Sequence, residues 1–450
     1  TYAPVVSFSC LRLFLCVSLC IGWKTCAVDF CNAFVQAKQP EPLFIHLPRG
    51  FKTNKNEKGE KTCLSLQKSL YGNAQAPRLF YELISKCFKK LGFKSCKVEP
   101  CLLYKEDIFI ILYVDDAGIC AKDENTIDKL IDQLKGMGLS LTKEGTFSEY
   151  LGINFTKVND NEVHMTQRGL IEKILKASRM EDCNPNHTPC TKEALDRDEE
   201  GPKMNEEWNY RSLVGMLIYS AGNTRPDIAY AVSQVAKFSH APKQSHAKAL
   251  KMIIRYLKGT MDQGMIYKRP KQLAIDCWVD ADFAGRFGKE PTSCADSVKS
   301  RTGFIISIGG CYVLCKSKSQ TIVATSTAEA EYTALSHSMR TLIPIRETLM
   351  ELLNSINRNC DVGYVKNSNQ ILTKFYEDNA SALSLATSRK LTDRTKHILL
   401  KYHFFWEKVD ASEGAIQVVK ESTENQRADY LTKGLCKEIF TRCRKLNQGW

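Results

Sequence analysis

Residues 107–120 read DIFIILYVDDAGIC. The unbroken apolar run from Ile108 to Val114 has the length and β-branched content of a buried strand. It ends in Asp115-Asp116-Ala117-Gly118, a composition that suits a hairpin turn, and Ile119-Cys120 resumes the apolar pattern. Two adjacent carboxylates at the tip of an apolar hairpin repel each other. Leaving both ionised costs free energy unless a cation sits between them. Asp29 ends a second apolar strand, Lys24 to Phe30, and can supply a further oxygen. Hard oxygen ligands of this kind suit Mg²⁺, which holds one or two carboxylates together with substrate phosphates. Two such ions can stabilise the attacking and leaving oxygens of a phosphoryl displacement. Taken alone, the Asp-Asp-Ala-Gly segment still reads first as an ordinary turn.

Working outward, Leu43 to Leu47 reads as a strand closed by a Pro48-Arg49-Gly50 turn. Pro77 sits where a first-turn helix proline belongs, and Leu79 to Leu91 follows with helical spacing. A helix is predicted from Asn125 to Met137, strands near Leu139 and Leu151, and a helix from Gly169 to Ser178. This irregular alternation suggests an α+β domain. The polar, proline-bearing stretch from Glu181 to Glu206 is a boundary. Helices are then predicted over Tyr210 to Ala221, Pro226 to Phe238 and Ser245 to Leu257. From Leu273 a second α/β unit begins, with strands centred on Trp278, Ile305 and Val313 and a long helix from Thr327 to about Leu353. A strand near Phe375 follows, then helices at Ala380 and from His397 to Val409, a strand from Ala415 to Val419, and a closing helix from Gln426 to Leu435.

Composition agrees with a globular chain of more than one domain. At 450 residues it is about three times a single-domain length of roughly 150. Hydrophobic residues make up 43% and charged residues 25%, which excludes wholesale disorder, a collagen-like fibre and a polytopic membrane protein. The net charge of +13 favours a polyanionic partner. Nineteen cysteines without a CxxC pair read as free thiols. Cys183, His187 and Cys190 lack a fourth zinc ligand at usable spacing. Val5 to Trp23 approaches the bilayer-spanning length of about 20 residues. Arg12 and the serines within it favour a buried helix over a membrane anchor.

The second unit has an acidic set of its own. Asp280 and Asp282 lie in WVDADFAG, Glu331 in STAEAEYTAL, Asp378 in YEDNASAL and Asp429 in NQRADYLTKGL, on the closing helix. Glu329 and Glu331 differ by about 200° around a helix, so only one of them can face a site. A lone helical glutamate is most often solvated. Four acids from separate elements of one unit are harder to dismiss.

The words AVDFCNAF (27–34), KSLYGNAQAPRLFY (68–81), LYVDD (112–116) and YLGI (150–153) occur in this order. With the opening TYAPVV and PCLLYK they resemble the reverse transcriptase of copia-type LTR retrotransposon Pol polyproteins. The resemblance implies an α+β polymerase palm of the right-hand reverse transcriptase type with truncated fingers. A helical connection and an α/β ribonuclease H-like domain would follow. The implied division is 1–180 for palm and partial fingers, 181–270 for linker plus helical thumb or connection, and 271–450 for the ribonuclease H-like domain.

By this resemblance Asp29, Asp115 and Asp116 would be the palm carboxylates. Phe34 would crowd the sugar 2′ position and favour deoxynucleotides. Tyr71 and Gly72 would lie against the incoming base and template, with Tyr113 also in the nucleotide site. Tyr150, Leu151 and Gly152 would form the turn that grips the primer end. The segments TRPDIAYAVSQVAKF, HAKALKMIIRYLKGT, KSKSQTIVATSTAEAEY and RTKHILLKYHFF resemble the ribonuclease H part of the same elements. The implied tetrad is Asp280, Glu331, Asp378 and Asp429, with Asp282 the alternative to Asp280. Each of the two acidic sites would hold two Mg²⁺, with Mn²⁺ as a substitute. His397 and His403 suit helix packing at least as well as catalysis.

Lys251, Arg255, Lys258, Lys316, Lys318, Arg394, Lys396 and Lys401 would flank the hybrid and neutralise phosphates. Implied partners are an RNA template, a DNA primer, an RNA–DNA hybrid, deoxynucleoside triphosphates and other products of the polyprotein, with no membrane. The implied location is the cytoplasm, in a virus-like particle, with the nucleus as alternative. The family's sequence normally begins earlier, so a fragment lacking the start of the fingers, the protease and the integrase is expected. FVQAKQPEP departs from the acidic, glycine-bearing loop usual after the first motif, and Arg286 to Ser300 is longer than expected. A second reading is a catalytically silent remnant that binds nucleic acid; a membrane-attached protein is the third.

Overall fold

The computed structural model describes residues 3–51, 63–288, 296–356, 371–388, 398, 400–409 and 416–450. His397, Arg394 and Lys396 lie outside the described residues. The chain divides into two compact units: Thr1–Phe14, Trp23–Phe147 and Glu351–Tyr364 form one, and Leu15–Gly22, Ser148–Met350 and Val365–Trp450 form the other.

The chain opens with helix α1 (Phe8–Ile21), whose side chains are buried on nearly every face, Arg12 included. A helix apolar all round is a core helix, and Phe14 meets Phe109 edge-on at 5.2 Å. Among the described residues no helix is long and apolar enough to cross a membrane. There follow β1 (Lys24–Asp29), α2 (Ala33–Gln36), β2 (Lys38–His46), β3 (Cys63–Lys68), α3 (Ala76–Lys90), β4 (Lys94–Ser95), β5 (Leu102–Lys105), β6 (Ile108–Tyr113), β7 (Asp116–Ala121), α4 (Glu124–Gly136) and β8 (Thr142–Gly145). Six of the strands form one sheet in the order β4-β5-β6-β7-β1-β8, and β2 pairs with β3 as a separate hairpin. The predicted apolar strand is β6, and its residues from Ile108 to Leu112 are fully buried. Asp123 caps α4 by accepting the Thr126 N–H at 2.8 Å. The strand expected near Leu139 begins instead at Thr142, because α4 and its closing turn run on through Gly138.

The second unit continues with β9 (Glu149–Tyr150), β10 (Ile153–Asn159), β11 (Glu162–Thr166), α5 (Arg168–Ser178), α6 (Tyr210–Asn223), α7 (Ala229–Ala236), α8 (Gln244–Gly259) and β12 (Met265–Lys268). Leu151 lies in the turn between β9 and β10, not in a strand. The first sheet of this unit runs β12-β11-β10-β9. The expected helix over Pro226 to Phe238 starts as a short 3-10 turn at Pro226–Ile228 before α7. There Arg225 and Asp227, both fully buried, form an ion pair at 2.8 Å, and the Tyr256 hydroxyl donates to Asp227 at 2.6 Å.

A five-stranded sheet completes the unit: β13 (Ile275–Asp282), β14 (Arg301–Ile308), β15 (Cys311–Ser319), β16 (Thr373–Glu377) and β17 (Ile416–Lys420), with helices α9 (Thr327–Ile356), α10 (Ala380–Ser388) and α11 (Lys437–Gln448). The order is β15-β14-β13-β16-β17; β13, β14 and β15 are antiparallel, whereas β16 runs parallel to both β13 and β17. Parallel neighbours need a crossover, and α9 lies in the one between β15 and β16. The closing helix predicted over Gln426 to Leu435 is absent. In its place stand two 3-10 turns, Thr423–Asn425 and Asp429–Leu431. Gln426 between them is extended, and its side-chain amide donates to the Val279 carbonyl at 2.8 Å. That tertiary bond overrides the helical periodicity, and the last helix begins only at Lys437. Of the helix predicted over His397 to Val409, the described residues hold a 3-10 turn at Leu400–Tyr402 followed by turns.

Candidate active sites

In the first unit, Asp29 is the last residue of β1 and Asp116 the first of β7. The antiparallel register sets them directly opposite each other. Val114 and Asp115 form the turn between β6 and β7, closed by the Tyr113–Asp116 pair. Val114 takes φ +54°, a left-handed backbone that a β-branched residue adopts only under constraint. The Asp115 carbonyl accepts the Phe30 N–H at 2.8 Å and so ties the turn to the end of β1. Three carboxylate residues thus gather at one end of the sheet. Asp116 is half-buried; burial first, then Asp115, Asp29 and Glu144, push its carboxyl up to about 6. Like charges placed opposite one another destabilise a sheet.

The aromatic residues singled out from the sequence lie together. Phe34 of α2 meets Tyr71 with ring centroids 4.5 Å apart and Phe80 at 6.4 Å. Tyr71 is exposed, and Gly72 beside it takes φ +92° with open space around it. Tyr113 is half-buried opposite Asp116. In the second unit, Leu151 (φ +55°) and Gly152 (φ +66°) form a tight two-residue turn between Tyr150 and Ile153. Two consecutive positive φ angles match the right-handed twist of a hairpin. The Tyr219 hydroxyl of α6 donates to the Leu151 carbonyl at 2.6 Å and holds that turn.

The second acidic set converges more tightly. β13 and β16 run parallel with Trp278 opposite Tyr376, and Asp280 and Asp378 each follow that pair by two residues. Glu331 projects from the start of α9. Asp280, Glu331 and Asp378 bring ligand oxygens within 4.8 Å of one another, and among the described residues no other acidic, histidine or cysteine trio does so. Glu329 faces away, as its spacing requires: its carboxylate accepts the Thr325 N–H at 2.7 Å, and its own N–H donates to the Ser326 hydroxyl at 3.2 Å. These two bonds tie the start of α9 to the residues before it.

Asp429 arrives on its 3-10 turn. The Lys433 ammonium meets its carboxylate at 3.0 Å, and the Thr432 hydroxyl donates to the Asp280 carboxylate. Close packing of this turn on the sheet needs a glycine opposite Asp280. A Cβ at Gly303 would lie 2.5 Å from the Thr432 methyl and 3.0 Å from the Leu431 Cβ. Burial pushes Asp280 up to about 7, with Asp429 and Asp378 adding to it and Lys433 and Thr432 opposing. Burial, then Asp280, Glu377 and Asp378, holds Glu331 well above the usual carboxylate range. Asp429 is raised by burial, against the pull of Lys433.

Sequence reasoning missed three participants, all within words it had singled out. Glu377 is fully buried; one carboxyl oxygen accepts the Asn379 N–H at 3.1 Å and the other has no partner among the described residues. Its place beside Asp378 in YEDN was visible in the sequence, but the resemblance points to Asp378 alone. Thr432 and Lys433 follow Asp429 at the spacing that stacks side chains along a helical turn, a signal in plain sight. Asp282 lies outside the tight trio. His403 is buried, accepts or donates at 2.7 Å to the Tyr332 hydroxyl, and packs on Trp406.

The donor set fits hard divalent cations. All the convergent ligands are carboxylates, and the Glu331 Oε2 is buried with no hydrogen-bond partner among the described residues. A buried carboxylate oxygen in that state is costly unless a cation or proton satisfies it. Around the unit, exposed Lys316, Lys318, Arg340 and Lys401 add to burial in lowering the pKa of His337. Lys251 pairs with Glu206 at 2.7 Å, Arg255 donates to the Asn184 carbonyl at 2.7 Å, and Lys258 is half-buried.

Residues 1–192 match the family model described as reverse transcriptase (RNA-dependent DNA polymerase). The chain is 31% identical over 444 residues to the retrovirus-related Pol polyprotein from transposon RE1 of Arabidopsis thaliana, covering 98% of this chain and 28% of that protein. It is 31% identical over 457 residues to the corresponding polyprotein from transposon TNT 1-94 of Nicotiana tabacum, covering 99% of this chain and 32% of the relative. An uncharacterized mitochondrial protein of Arabidopsis thaliana is 32% identical over 228 residues, which cover 51% of this chain and 90% of that protein. The chain therefore spans about three tenths of the length of the polyproteins it matches. With the YVDD hairpin opposite Asp29 and similarity along nearly its whole length, the chain belongs to the copia-type retrotransposon Pol polyproteins, as a segment that includes their reverse transcriptase domain.

Proposed function

We propose that the chain is an RNA-directed DNA polymerase joined to a ribonuclease that cuts the RNA strand of RNA–DNA hybrids. The observation that carries the ribonuclease half is the mutual approach of Asp280, Glu331 and Asp378 within 4.8 Å. The order β15-β14-β13-β16-β17, with an antiparallel trio followed by parallel strands, supports a ribonuclease H-like reading. We assign residues 1–180 to palm and partial fingers, 181–270 to linker and helical connection, and 271–450 to the ribonuclease.

In the polymerase, Asp29, Asp115 and Asp116 would hold Mg²⁺ or Mn²⁺. In the ribonuclease, Asp280, Glu331, Asp378 and Asp429 would do so. When bound, such ions lower the pKa of an attacking water or hydroxyl and neutralise charge on the phosphoryl group. The protein's own part is to fix the carboxylates in a partly dry cleft. Thr432 orients Asp280, and Lys433 balances Asp429. The Phe34 and Tyr71 rings would bound the sugar and base of an incoming deoxynucleotide. Tyr150, Leu151 and Gly152, pinned by Tyr219, would steady the primer end. Lys316, Lys318, Arg340 and Lys401 would meet phosphates, giving binding that weakens with salt.

The test is paired. Primer extension and hybrid cleavage are measured with Mg²⁺ for the wild type, Asp115→Asn and Asp378→Asn. The reading expects Asp115→Asn to lose extension alone and Asp378→Asn to lose cleavage alone. Wild-type protein that binds hybrid but performs neither reaction refutes it and leaves a silent binding remnant.

A further inference from the structure

In the helical part of the second unit, a groove of about 500 Å³ opens between the segment that precedes α6 and the loop joining α7 to α8. Its wall carries Lys203, Arg211, His240 and Lys243 and, among the described residues, no carboxylate. Arg211 donates through Nε to the Ser239 carbonyl at 2.9 Å, and its Nη2 lies 3.2 Å from His240 Nδ1. A guanidinium cannot accept, so Nδ1 is the acceptor and the ring proton resides on Nε2. Lys243 is committed to the carbonyls of Glu199 and Gly201 at 2.9 and 2.8 Å. Lys203, its neighbour across an antiparallel bridge, is exposed and bonds no side chain or carbonyl among the described residues. Lys203 Nζ, Arg211 Nη1 and His240 Nε2 are thus exposed donors with no protein acceptor among the described residues. The N-terminus of α6, capped by Asn209, lies in the same wall and favours negative charge. Met204 and Pro242 supply apolar surface beside these donors.

We infer that this groove binds a phosphodiester of a single nucleic-acid strand, with phosphate against Lys203, Arg211 and His240 and sugar or base against Met204 and Pro242. The volume exceeds what an inorganic phosphate needs. A free mononucleotide offers the same chemistry; the strand is favoured because the proposed function, on which this inference rests, works on strands.

Binding of a fluorescein-labelled oligothymidylate, followed by anisotropy in EDTA across a salt series, tests it. The proteins compared are the wild type, Lys203→Gln and Lys203→Gln/Arg211→Gln. Lys203 has no bond to lose, so that variant keeps its fold whatever Arg211 contributes. The double variant is expected to bind about tenfold more weakly at low salt, with a log–log salt slope shallower by about 0.7 per removed cation. Unchanged affinity and slope in both variants would overturn the inference. So would adenosine monophosphate binding that depends on Lys203 and Arg211 while strand binding ignores them. Asp378→Asn must bind the strand like the wild type: lost cleavage with retained binding counts against the catalytic reading only where the wild type is also inactive.

Discussion

The two acidic clusters use the same side chains in opposite settings. At the β6–β7 hairpin, Asp29, Asp115 and Asp116 stand at the end of a sheet, with Asp116 half-buried and pushed up to about 6. In the second unit, Asp280 and Glu331 are almost fully buried and converge with Asp378 within 4.8 Å, and a lysine already lies against Asp429. Under the proposed function, substrate phosphates and ions would complete the open cluster. The buried one carries its charge repulsion in the folded protein and needs built-in relief, which Lys433 and Thr432 supply. Burial, more than the number of acids, separates the two.

The largest expected effect that sharpens this comparison comes from Gly303→Ala. The added methyl would meet Thr432 at 2.5 Å and push the Asp429 turn off the sheet. Hybrid cleavage should fall more than tenfold, and overpacking should cost about 1–3 kcal/mol in a denaturant melt. Extension by the first unit should change much less. Equal loss of both activities would contradict the separate construction of the two clusters.

That glycine also shows what the sequence could and could not disclose. The hairpin, the strands around Trp278, Ile305 and Val313, and the helices α6, α8 and α9 were legible because each is a long apolar run or a clear helical period. The chain positions of the acids were legible from the words around them. The 3-10 turn that delivers Asp429 was not, because a tertiary bond from Gln426 to Val279 decides it. Strands β10, β11 and β12 were missed: β10 and β11 form a local hairpin but bury few of their side chains, and β12 finds its partner β11 far back along the chain. Glu377 was not legible as a participant: it ends β16 and is buried by the packing of the sheet, which the words around it do not show.

Glu377→Gln tests that buried acid. Burial raises the Glu377 carboxyl well above its ordinary value, so its penalty is absent below the unfolded-state value and grows as pH rises toward the folded one. The variant should be more stable than wild type at pH 8 in EDTA, by about 1–3 kcal/mol, and lose that advantage in acid. A destabilised variant at both pH values would show that the carboxyl is needed where it stands.

Lys433→Met should act in the opposite direction. In EDTA it removes the cation facing Asp429, at a cost of about 1 kcal/mol given that Lys433 is partly exposed. Saturating Mg²⁺ should shrink the difference in Tm if ions neutralise the same carboxylates. A difference that Mg²⁺ leaves untouched would remove Lys433 from the account.

The smallest effect belongs to the open cluster. Asp116 has a folded value of about 6 against an ordinary 3.8, so its cost is missing below about pH 4 and complete only above pH 6. Asp116→Asn should therefore raise stability in EDTA at pH 8, by no more than about 1 kcal/mol after solvent screening, and do nothing at pH 4. A gain at both pH values would point to packing instead of charge.

On the proposed function, folding builds a divalent-cation site from Asp280, Glu331 and Asp378. Calorimetric titration of Mn²⁺ into the metal-free protein tests it most directly, with Glu331→Gln as the comparison because it keeps shape and removes charge. Saturable binding is expected in the wild type, lost or severely weakened at this site in the variant. Identical binding isotherms for the two proteins would contradict it.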